Sequence, residues 1–118
     1  MSEQPRVGIE LVEVICREFT SRRAGMIFAM DGGLWLHRHV WKGTPMAHLV
    51  STNRILLLEY GRHAQLPDAR LQFKALKDPR TGIRRDAWHW DLVGRFLPPR
   101  EAGAHVLLTD VSRIDPRR

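Results

Sequence analysis

Short apolar runs alternate with polar ones along this chain, and glycine or proline interrupts them at frequent intervals. Such punctuation predicts short strands joined by turns. The first run, Val7 to Cys16, is rich in β-branched residues. Ile9, Leu11 and Glu13 alternate there with Val12, Val14 and Cys16, as on the two faces of a strand. Helical spacing also fits, with Ile9, Val12, Ile15, Cys16 and Phe19 on one side. Propensity tips the reading to strand. Thr20 to Gly25 reads as a connection.

Hairpins are expected next. Met26 to Met30 is a short apolar strand, Asp31-Gly32-Gly33 supplies the positive φ of a tight turn, and Leu34 to Trp41 returns beside it. Gly43-Thr44-Pro45 ends that strand. Met46 to Val50 and Ile55 to Tyr60 read as two strands around the turn Ser51 to Arg54, in preference to one helix from Pro45 to Leu58. Leu71 to Ala75 alternates apolar and polar residues. Asp78-Pro79-Arg80-Thr81-Gly82 suits a turn with a G1 bulge, and Ile83 to Trp90 returns. Asp91 to Leu97 predicts a short helix capped by Asp91 and stopped by Pro98-Pro99. His105 to Thr109 is a last strand. The predicted fold class is therefore α+β and β-rich: an antiparallel sheet of hairpins with at most one or two short helices.

The chain has 118 residues, of which 43% are hydrophobic and 27% charged. That length and balance predict one domain over residues 1–118, with 1–6 and 115–118 as frayed ends. The single cysteine, Cys16, excludes an intrachain disulfide and reads as a buried, inert thiol. The polar N-terminus lacks the apolar core of a signal peptide, and Ile55 to Leu58 is too short to cross a bilayer. A cytoplasmic protein without a membrane partner is expected.

Charge changes the picture more. The formal net charge is +6, and Arg supplies 16 of the 19 basic residues. A basic protein is drawn to polyanions such as nucleic acid, or to an acidic protein face. An Arg-rich codon bias and plain solubility account for the same numbers. The charge is concentrated: residues 62–85 hold Arg62, Arg70, Lys74, Lys77, Arg80, Arg84 and Arg85 against Asp68 and Asp78. If Asp78 faces Gly82 across the turn, Lys74 pairs with Asp86, Gln72 with Trp88, and Arg70 with Trp90. One outer face then interleaves Arg70, Gln72, Lys74 and Arg84 with Trp88 and Trp90, while Leu71, Phe73, Ala75, Ile83 and Ala87 turn to the core. Arg70, Lys74, Arg80 and Arg84 would hold phosphates, and the two indoles would stack on bases. The local alternative is an Arg70–Trp90 cation–π pair and a weak Lys74–Asp86 ion pair.

A second surface comes from strand alternation. Trp35, His37, His39 and Trp41 share one face, opposite Leu34, Leu36, Arg38 and Val40. The ring stripe looks outward or into a cleft, where it could stack bases. Alternatively, the tryptophans cover a second small core with the histidines at its rim. His37 and His39 also have the spacing of two metal ligands on one strand. The further candidates His48, His63, His89, His105 and the carboxylates stand at no diagnostic spacing. Asp86, His89 and Asp91 are close in sequence, with strand geometry expected to turn His89 away from both carboxylates.

No phosphate-binding glycine loop, HExxH helix, paired-cysteine zinc pattern or serine elbow is present in the sequence. No catalytic residue, metal ligand or cofactor is assigned. The expected function is non-enzymatic binding of an anionic partner, nucleic acid first, through the Arg/Trp hairpin. One alternative is a protein-interaction module, such as a phage or mobile-element adaptor or inhibitor acting on a protein complex. The other is a metal-dependent enzyme centred on His37 and His39.

Overall fold

The computed structural model describes residues 10–100 and 105–115. Of the expected frayed segments 1–6 and 115–118, residues 1–6 and 116–118 lie outside the described residues, as does the start of the expected first strand at 7–9. Asp115 lies within them, and its N–H donates to Val111 O at 2.9 Å.

In chain order the elements are β1 (Leu11–Arg17), α1 (Arg22–Met30), β2 (Leu34–Trp41), β3 (Thr44–Ser51), α2 (Arg54–Ala64), β4 (Gln72–Phe73), β5 (Leu76–Lys77), β6 (Arg84–Arg85), β7 (Trp88–Val93) and β8 (His105–Asp110). Short 3-10 turns follow α2, β7 and β8. Six strands form one sheet in the order β4-β7-β3-β2-β1-β8, and β5 pairs with β6 in a small ribbon. The protein is a β-rich α+β fold, as its residue pattern predicts. The sheet is mixed rather than wholly antiparallel. β1 and β2 run parallel because α1 carries the chain back between them. No helix among the described residues is long and apolar enough to cross a membrane.

Each helix covers a different face. On one face Val14, Cys16, Leu34, Leu36, Ala47, Leu49, Trp90 and Leu92 pack with Leu57 and Leu66 into the main core under α2. On the other face α1 covers only one end, where Ala29, Trp35 and Val50 meet Phe19, Met26, Phe28 and Leu76. Among the described residues, neither helix covers the rest of that second face, over β2, β3 and β7.

Two expected strands are helices. Met26 to Met30 lies in α1, because Ser21 caps the helix, accepting from Ala24 N at 3.2 Å. Gly25 lies against the Trp35 indole, where no side chain would fit. Ile55 to Tyr60 lies in α2. Asn53 caps it, accepting from Leu56 N at 3.1 Å, and its leucines and Glu59 favour helix. The partner of Leu34 to Trp41 is therefore β3. The turn between them is Lys42-Gly43, with φ of 49° and 80°, the positive pair a two-residue hairpin needs. Asp91 to Leu97 is not a helix either: β7 runs on to Val93, and Gly94–Phe96 forms a 3-10 turn.

The expected hairpin around Asp78 to Gly82 is present, with Gly82 at φ 74°. Its register differs by one residue. Gln72 lies opposite His89, Phe73 opposite Trp88, Leu76 opposite Arg85, and Lys77 opposite Arg84. A one-residue shift exchanges the faces of a strand. Trp88 and Trp90 thus turn toward α2, and His89 and Asp91 turn to the open face.

Candidate metal centre

Registers across three strands put the histidines together. On the open face His37 of β2 lies opposite His48 of β3, and His48 lies opposite Asp91 of β7. His89 precedes Asp91 by two positions on β7, so both side chains share that face. The expectation that His89 points away from Asp91 fails because Asp91 continues the strand instead of capping a helix.

Three side chains converge. His48 Nδ1 is 2.7 Å from Asp91 Oδ1, and His89 Nε2 is 3.4 Å from the same oxygen. One ligand atom from each of His48, His89 and Asp91 lies within 4.8 Å of the others. Protein ligands about 2.0–2.2 Å from a zinc-sized ion sit about 3–3.5 Å apart, so His89 and Asp91 already stand at that spacing, while the His48–Asp91 hydrogen bond must open slightly for an ion to replace its proton. Gln72 Nε2 donates to Asp91 Oδ2 at 2.8 Å, which fixes the carboxylate and leaves Oδ1 toward the imidazoles. Hydrogen bonding of this kind orients a ligand before the ion arrives.

The protonation states suit an ion. Burial holds His89 below the usual histidine range, against the opposing pull of Asp91. Burial alone would raise Asp91, but hydrogen bonds from Gln72 and His48, with the nearby imidazoles, hold it below the usual aspartate range. Neutral imidazole and ionised carboxylate are the ligand forms. His37 is also held low, first by burial and then by Arg22 and its histidine neighbours.

A chain of rings leads to the triad. Trp35 stacks on His37 with centroids 4.8 Å apart, His39 lies 4.5 Å from His48, and His48 lies 5.1 Å from His89. His39 Nδ1 is buried without a hydrogen-bond partner among the described residues. An open recess of about 500 Å³ lies beside the triad, lined by His39, Trp41, Met46, His48, Asp91 and Val93.

The expected Trp35-His37-His39-Trp41 stripe is divided. Trp35 is buried beneath α1, His37 and His39 are half-buried, and Trp41 is 60% exposed. His37 and His39 border the triad but are not in it. His105, another candidate ligand, begins β8 at the far edge of the sheet.

The Arg/Trp hairpin face is not assembled as expected. Trp90 is 1% exposed, and its indole N–H donates to Leu57 O at 2.8 Å. Trp88 is half-buried and packs on the main core. Both are withdrawn by the register shift, so the indole–guanidinium interleaving with Arg70, Lys74 and Arg84 does not form. Arg80 is engaged as well. It pairs with buried Asp78 at 3.0 Å and with Asp31 at 2.8 Å, clamping the β5–β6 turn to the end of α1. Arg70, Lys74 and Arg84 remain exposed.

Sequence reasoning missed His48, His89, Asp91 and Gln72 as a group. The legible signal was the His89-x-Asp91 spacing, which places an imidazole and a carboxylate on one face of any strand. It was obscured by reading Asp91 as a helix cap. Compared with known protein families, curated proteins and solved structures, the chain matches none of them.

Proposed function

We propose that this protein binds a divalent transition-metal ion through His48, His89 and Asp91. The observation that carries this is the convergence of two imidazole nitrogens and one carboxylate oxygen on a single oxygen-to-nitrogen scale of distances. Two histidines and one carboxylate form a borderline ligand set that suits zinc, iron(II), cobalt(II) or nickel(II) better than magnesium or calcium. Three protein ligands leave coordination positions toward solvent, as in sites that also take water or a small ligand.

Calorimetric titration with Zn²⁺ and Co²⁺ tests the reading. Uptake of one ion per chain is expected, lost in His89→Ala and Asp91→Asn and weakened about 10- to 100-fold in Gln72→Ala. Equal uptake by the wild type and the His89→Ala variant would refute it.

A second reading, contact with an anionic partner, is favoured by the exposed Arg70, Lys74 and Arg84 together with the net charge of +6. Without the tryptophans it rests on electrostatics. Binding to duplex DNA is then expected to weaken by about 0.9 log unit per log unit of salt for each phosphate contact. Arg84→Ala would lower that slope by about one contact. No retention at low salt would remove this reading.

A further inference from the structure

The recess beside the triad shares two of its three residues, His48 and Asp91. Residues opposite one another across the strands build it in rows. His39, Met46 and Val93 occupy one row, next to the row that holds His48 and Asp91. Trp41 follows at the free end of the β2–β3 hairpin. Trp41 is 60% exposed and Val93 44% exposed, so an indole and a branched aliphatic side chain face solvent within reach of the triad. α1 covers the opposite end of this face, around Trp35 and Val50, and does not reach this end.

Charge selects the head group. A divalent ion on the triad is offset by one carboxylate, and among the described residues the recess lining contains no acid besides Asp91. Lys42 adds a further cation, its Nζ lying 5.2 Å over the Trp41 ring. An anionic oxygen donor is therefore favoured at the open coordination positions. The apolar wall selects the body of the ligand. The recess, about 500 Å³, is within the range of sites for small organic molecules.

We infer that the metal centre takes a small organic anion as a direct ligand: an oxygen-donor head group on the ion, with an aromatic or branched apolar body against Met46, Val93 and Trp41. This rests on the metal reading above. It makes the site a ligand-binding centre rather than a closed structural one, whose coordination would be filled by protein alone.

Hydroxamates serve as probes because the head group is constant while the body changes. Co²⁺-loaded protein would be titrated with acetohydroxamate and with benzohydroxamate, following the cobalt visible absorption. The wild type is expected to bind benzohydroxamate about 10-fold more tightly, a difference of about 1.4 kcal/mol. Trp41→Ala, an exposed position, is expected to keep its Co²⁺ affinity and lose most of that preference. Equal binding of the two hydroxamates, a preference unchanged in Trp41→Ala, or Co²⁺ uptake without hydroxamate binding would each overturn the recess and leave the metal reading standing. Failure to take up Co²⁺ at all would overturn both.

Discussion

Single residues set the close approaches on which both cores depend. Gly61 in α2 faces the Trp90 ring, and Gly25 in α1 faces the Trp35 ring, each without room for a Cβ. Gly61→Ala must push Trp90 off α2 and strain its hydrogen bond to Leu57. A loss of about 1–3 kcal/mol is expected in urea unfolding. Full stability in that variant would show that the ring has room to move. Cys16 is 2% exposed, and burial pushes its thiol up to about 12. It should stay unreactive toward a disulfide reagent at pH 8 until the protein unfolds, as the sequence predicts for a packed, inert thiol. Rapid labelling of the folded protein would contradict its burial.

Between elements, one buried carboxylate joins distant parts of the chain. Glu59 on α2 accepts from Arg62 at 2.7 Å and from Arg113, beyond β8, at 2.9 Å. Thr109 on β8 also hydrogen-bonds it. The Arg62 hydrogen bond is the largest influence holding its carboxyl down, to about 2, and the Arg113 bond adds to it. A depressed carboxyl stabilises the fold above its ordinary value of 4.5, and the contribution is lost as pH falls toward 2. The wild type should therefore lose stability across that acid range. Glu59→Gln should be weaker by about 1–3 kcal/mol at neutral pH and flatter in acid. An identical acid profile in the two proteins would remove Glu59 from this role. The helix that carries Glu59 was readable only in part. Ser51 to Arg54 reads as a turn between strands, with a helix from Pro45 to Leu58 as the alternative, and Ile55 to Tyr60 suits either when judged as a short apolar run.

For the whole molecule, an ion that binds only the folded state must raise its stability. At 100 times the dissociation constant the gain is about 2.7 kcal/mol. Thermal unfolding with Zn²⁺ should shift upward in the wild type and stay unchanged in Asp91→Asn. A shift of equal size in both would point to binding elsewhere on the chain. The exposed cations, by contrast, act at long range and are screened by salt, so any anionic partner should be released by salt that leaves the metal in place.

The residue pattern by itself determined the β-rich class, the strand Leu34 to Trp41, the turn at Asp78 to Gly82 and the split of Trp35, His37, His39 and Trp41 from the aliphatic face. These follow from local alternation and turn chemistry, which neighbouring residues decide. Only the tertiary structure decided which strand lies beside which, and in what register. Pairing β3 with β7 brings His48 to Asp91 across 43 positions of chain, and one residue of register turns Trp90 inward and His89 outward. Such pairing depends on packing energies summed over distant residues. Side-chain alternation names the two faces of a strand, but what covers each face is settled by the helices that fold over it.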